Sequence, residues 1–89
     1  METTETPAIP NTPSIRWQCR RGMLELDMLL LPFFDTIYET LAVEQKKAFI
    51  DLLAFPDQEI YAFLIARQIP DSLTLKSIVQ SIREFSQQG

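Results

Sequence analysis

The stretch Ile15–Tyr38, IRWQCRRGMLELDMLLLPFFDTIY, carries two helical patterns on either side of a glycine, and that division decides the fold. From Leu26 onward, Leu26, Leu29, Leu30, Phe33, Phe34, Ile37 and Tyr38 recur at the i, i+3, i+4, i+7, i+8 spacing of a helix with a broad core face. Pro32 falls inside this pattern. It has no backbone N–H and crowds the preceding turn, so a kink or local break is expected between Met28 and Pro32. Upstream, Pro13-Ser14 offers a helix start with the Ser14 hydroxyl as N-cap, and Ile15, Gln18 and Cys19 then share a face. Gly22 suits the position just past the end of that first helix, with Arg20 and Arg21 in its last turn facing the negative end of the dipole.

The remaining chain repeats the theme. Glu44 to Ala54 reads as a third helix with Phe49, Leu52 and Leu53 inward; Glu44, Lys47 and Asp51 are spaced for pairing on the wet side. Its start is poorly capped, because Ala42 and Val43 stand where Ser, Thr or Asp would satisfy the first amides. Pro56-Asp57 opens a fourth helix with Ile60, Phe63 and Leu64 as its apolar stripe, and Pro70-Asp71-Ser72 opens a fifth bearing Leu75, Ile78, Val79, Ile82 and Phe85. No alternating β-branched runs bounded by hairpin turns interrupt this series. The fold class is therefore all-α, a small bundle of five short antiparallel helices spanning residues 14–86. The first thirteen residues, METTETPAIPNTP, combine three prolines with four threonines and read as a disordered N-terminal tail; residues 87–89 read as a flexible C-terminus.

Composition narrows the functional classes. With 46% hydrophobic residues in 89, the chain supports one core but not a large buried cavity. It has one cysteine and no histidine, which removes internal disulfides, zinc sites of the usual ligand set and serine-histidine catalysis. The densest apolar run, Met28 to Phe34, is too short to span a bilayer, and no secretory leader opens the chain; a cytoplasmic protein that does not enter membranes is expected. The net charge of −4 argues against a phosphate-backbone binder, yet Arg16, Arg20 and Arg21 place three of the eight basic residues within six positions. A local basic face on an acidic body suits a docking surface for a specific protein partner.

Arg21-Gly22-x-x-Glu25 sets a cation, a flexible turn and a carboxylate in one helix-turn-helix corner. As a purely structural device, Glu25 favours the positive end of its helix, Gly22 is a helix stop and the arginines are solvated. As a binding site, Trp17 beside the arginines and Met23 beside the glycine have the composition of an interaction hot spot. Periodicity leaves Trp17 open to either role, since it also suits packing against Phe33 or Phe34.

These same residues carry a family resemblance. WQCRRGMLELDMLLLPFFD, Trp17 to Asp35, resembles the succinate dehydrogenase assembly factor family, whose mark is an Arg-Gly-x-x-Glu motif between two helices. The Trp-x-Cys-Arg-Arg-Gly-Met lead-in, the Glu-Leu-Asp continuation and the Pro-Phe-Phe-Asp segment all resemble its bacterial members. The resemblance implies a five-helix bundle that binds the flavoprotein subunit of succinate dehydrogenase and promotes covalent attachment of FAD to a histidine of that client. The fumarate reductase flavoprotein is an implied second client. It also implies that Arg21, Gly22 and Glu25 lie at the client interface, flanked by Trp17, Arg20, Met23 and Asp27. FAD is on this reading the client's cofactor, and the helper is a monomer that binds none stably. The chain departs from the pattern only in its Pro/Thr-rich start and its weak third-helix cap.

Other classes fit less well. A nucleic-acid binder would use Arg16, Arg20 and Arg21 with Trp17, but the other cations are dispersed among acids. A helical adaptor for peptides would line a groove with Phe63, Ile69 and Leu73, each of which suits the core at least as well. For an enzyme, the acids Glu44, Asp51 and Asp57 lie on expected wet faces and caps, and Cys19 without a histidine reads as a small buried hydrophobe.

Overall fold

Five helices follow one another with short connections in the computed structural model, which describes residues 12–88. They are α1 (Thr12–Gln18), α2 (Leu24–Thr36), α3 (Val43–Leu53), α4 (Asp57–Leu64) and α5 (Leu73–Gln88), with a single 3-10 turn at Tyr38–Thr40 after α2. There are no strands among the described residues, and the architecture is the all-α bundle that the apolar spacing requires. α5 is the hub. It packs against α2, α3 and α4, and its buried Ile78, Val79 and Ile82 complete the core stripe read from the sequence.

The core is one cluster. Leu26, Leu30, Phe33 and Phe34 of α2 meet Ala48, Phe49, Leu52 and Leu53 of α3 and Ile60, Phe63 and Leu64 of α4. Its centre is aromatic: the Phe49 ring lies 5.7 Å from Phe33, 6.1 Å from Phe34 and 5.5 Å from Tyr38, and Phe85 meets Phe33 edge-on at 5.7 Å. Ile15 of α1 and Cys19 just after it close the cluster, so even this short helix is anchored by apolar burial.

Several boundaries differ from the sequence reading. α1 begins at Thr12, which puts Ser14 inside its first turn rather than at its cap, and it ends at Gln18, so Arg20 and Arg21 lie beyond its last turn. Thr12 and Pro13 therefore belong to the folded part, while the expectation of disorder for residues 1–11 lies outside the described residues. At the other end α5 continues through Gln87 to Gln88, where a flexible end was expected. α2 runs without interruption past Pro32. The ring is exposed, only one backbone bond is lost, and burial of Leu30, Phe33 and Phe34 on both sides of it holds the helix together. α3 lacks a side-chain cap at Ala42, as its sequence foretells. Three residues beyond the end of α4, Arg67 stands at φ 64, a left-handed position usually given to glycine, while the Gln68 amide donates to the Ala62 carbonyl at 2.8 Å. Ile69 and Leu73, better suited on paper to the core, are 67% and 81% exposed: Ile69 lies on the segment joining α4 to α5, and Leu73 is the first residue of α5, outside the Ile78, Val79 and Ile82 stripe.

Cys19 is fully buried, as the lone-cysteine reading implies, and burial pushes its thiol up to about 12, only partly offset by Arg16 and Arg21. The folded state thus holds the thiol proton more tightly than the unfolded chain. Its contribution to stability is complete below the ordinary thiol value of 9.0 and is lost as pH rises toward about 12. Urea unfolding across this range should show a steeper loss of stability for the native chain than for Cys19→Ala; equal slopes would contradict the burial.

Candidate functional site

Three arginines emerge from the sequence as one basic face, and the fold sends them to three different tasks. The fork of Arg16 on α1 clasps Asp35 on α2, with Nε donating at 2.8 Å and a terminal nitrogen at 3.0 Å. Both groups are half-exposed, so the pair orients α1 and adds little stability, although it holds the Asp35 carboxyl below its ordinary value. Arg20 is exposed, and its side chain has no hydrogen bond or ion pair among the described residues.

Arg21 turns inward. Its Nε donates to Asp57 Oδ1 at 2.7 Å, and its terminal nitrogens reach the carbonyls of Gln18 at 2.9 Å, Leu53 at 3.0 Å and Phe55 at 3.2 Å. Gln18 is the last residue of α1 and Leu53 the last of α3, so one guanidinium satisfies carbonyls that helix geometry leaves orphaned at two C-termini, where positive charge is also favoured. Asp57 stands in the first turn of α4, where negative charge is favoured. Only arginine has enough donors in a fixed plane for this set of acceptors. The Arg21 amide is tied as well, donating to Asp27 Oδ1 at 2.7 Å, which fastens the turn to the start of α2. Among the described residues Arg21 pairs with Asp57 and not with Glu25.

That clamp fixes the backbone on either side of Gly22. Gly22 has φ +80, a conformation that strains any residue with a side chain, and a Cβ built there meets nothing within 4 Å. The glycine is exposed, and the space before it is open to a partner's backbone. Glu25, in the first turn of α2, is exposed and has no hydrogen bond or ion pair among the described residues. Trp17 is 73% exposed, which resolves its ambiguity in favour of the surface, and Leu24 and Met28 are 70% and 65% exposed on α2. Met23 is half-buried against the core.

The seven residues singled out by sequence thus divide by environment. Trp17, Arg20, Gly22 and Glu25 are presented to solvent, whereas Arg21 and Asp27 are engaged in holding the corner and Met23 packs partly inward. Asp57, Leu53 and Phe55 complete the clamp and escaped notice, because a cation in one segment gives no sign of which carbonyls more than thirty residues away it will meet. Among the described residues no group of three or more His, Cys, Asp or Glu side chains is arranged to hold a metal ion, and no helix is long and apolar enough to cross a membrane.

Residues 14–86 match the family model described as flavinator of succinate dehydrogenase. The chain is 44% identical over 71 residues to FAD assembly factor SdhE of Shewanella oneidensis, covering 79% of this chain and 87% of that protein. It is 42% identical over 72 residues to FAD assembly factor SdhE of Coxiella burnetii, covering 81% and 88%, and 41% identical over 75 residues to that of Serratia, covering 84% and 85%. The chain belongs to this family of succinate dehydrogenase flavinators.

The geometry assigns Arg21 to the fold. Arg21→Ala should lower unfolding free energy in urea by about 1–3 kcal/mol, since part-buried carbonyls and one carboxylate lose their donor, and Arg21→Lys should recover only part of it. Unchanged stability in both variants would contradict the clamp.

Proposed function

From this family membership we propose that the chain docks on the flavoprotein subunit of succinate dehydrogenase and promotes covalent attachment of FAD to a histidine of that subunit, with the fumarate reductase flavoprotein as a second client. The protein acts in the cytoplasm as a monomer, is not itself an enzyme and retains no FAD. Gly22 and Glu25 make the central contacts, with Trp17 and Arg20 beside them. Arg21 and Asp27 serve the same interface by fixing the turn that presents it, and Met23 supports it from the core side.

One observation supports this reading above the others: Gly22 and Glu25 are exposed, Glu25 has no side-chain partner among the described residues, and Arg21 and Asp27 beside them are tied down. A backbone can approach Gly22 closely because no side chain intervenes, and an unpaired carboxylate nearby is available to a cation or amide donor of the client. Flavinylation requires the client to align its histidine with the flavin methyl group and to stabilise negative charge developing on the ring. A helper that binds the competent conformation of the client favours it by mass action and needs no reactive group of its own. The chain has no histidine, only two glycines and therefore no glycine-rich phosphate loop, which favours action through the client over direct delivery of the dinucleotide. A nucleic-acid role is further weakened because Arg16 and Arg21 are occupied by Asp35 and Asp57.

Co-expression with the client flavoprotein, with covalent FAD read by in-gel flavin fluorescence, tests the proposal. Gly22→Arg and Glu25→Ala should each reduce the signal at least about tenfold, the scale of a lost hot spot. Their unfolding free energies should change by no more than about 1 kcal/mol, the strain of a side chain at positive φ for Gly22→Arg and less for Glu25→Ala. Equal fluorescence with wild type, either variant or no helper would overturn the proposal.

A further inference from the structure

Beside the corner lies an apolar groove that the motif does not account for. It has a volume of about 520 Å³ and is walled by Met28, Leu29 and Pro32 of α2, Ile65 at the end of α4 and Phe85 of α5, with Glu25 at its rim. Met28 is 65% exposed and Leu29 beside it is half-buried, so apolar surface of α2 faces solvent along the groove. Pro32 adds a second signature. Having no N–H, it cannot supply the bond that the Met28 carbonyl would accept four residues on, and both residues line the groove. An apolar wall, a carbonyl without its i+4 donor and a carboxylate with no partner among the described residues thus lie along α2.

These features select the chemistry of the occupant. The groove walls carry no cation, and Glu25 repels anions, so neither the pyrophosphate of a dinucleotide nor an anionic membrane surface fits it. An amphipathic helix does: its apolar side chains fill the groove, a polar donor meets the Met28 carbonyl, and a basic residue flanking the apolar face pairs with Glu25. We infer that this groove receives an apolar, basic-flanked helix of the client flavoprotein subunit, making one continuous interface with Gly22 through the shared Glu25. This inference rests on the proposed client. The alternative occupant, a second copy of this chain offering its exposed Trp17 and Arg20, is separated from it by experiment.

The test measures binding of the purified apo-flavoprotein subunit to the full chain by titration calorimetry, with sedimentation of the free helper alongside. Met28→Asp places charge in the groove at an exposed position, so the free protein keeps its fold and melt. Leu73→Asp is the matched control: Leu73 is 81% exposed and lies twelve residues before Phe85 on α5, about 18 Å away along the axis. The inference expects Met28→Asp to weaken client binding at least about tenfold, Leu73→Asp to bind as wild type, and every form to sediment as a monomer. Wild-type binding by Met28→Asp, alongside loss in Gly22→Arg, would overturn the groove while leaving the client reading intact. A wild-type dimer that Met28→Asp splits, with client binding unchanged, would assign the groove to a second copy. No binding by wild type would overturn the client reading and the groove's occupant with it.

Discussion

The guanidinium of Arg21 is the interaction on which the arrangement of this bundle depends. A helix leaves its last carbonyls without partners, and a small five-helix domain has many such ends close to its centre. Here the ends of α1 and α3 and the start of α4 converge, and one side chain meets Gln18, Leu53, Phe55 and Asp57 together. The apolar core decides that helices form and pack; the clamp decides how the corner between α1 and α2 is held. Asp27 completes it by taking the Arg21 amide.

From that clamp follows a separation of roles within four residues. Arg21 is held inward by its acceptors, the chain turns through a positive φ at Gly22, and Glu25 emerges on the first turn of α2. The motif is thus half scaffold and half surface. A domain with little stability to spare gains from this economy, because the contacts that hold the turn also determine what it presents.

Sequence reasoning made the architecture legible for a specific physical reason: helical apolar periodicity reports burial, and here burial is carried almost wholly by such stripes. Leu26, Leu30, Phe33, Phe49, Ile60, Ile78 and Ile82 were each placed inward by spacing and are fully or almost fully buried. Boundaries were less legible. Local cap signals at Ser14 and Gly22 yielded to a helix starting at Thr12 and ending at Gln18, and the Pro32 signal yielded to packing on both sides of it. Ile69 and Leu73 misled because apolar character alone does not distinguish a core residue from one on a connecting segment or at an exposed helix start. Residue type and family resemblance single out the corner as the candidate site, but they give no sign of the inward turn of Arg21, since its partners come from segments that only the tertiary fold brings near.

Amide hydrogen exchange of the chain, alone and with the apo-flavoprotein subunit, tests most directly the claim that this corner is the functional surface. The account predicts added protection across Gly22 to Met28 on complex formation, with amides of the Leu53 to Asp57 clamp already slow and unchanged. Protection confined to the exposed Ile69 to Leu73 face, with Gly22 to Met28 exchanging as in the free protein, would contradict it.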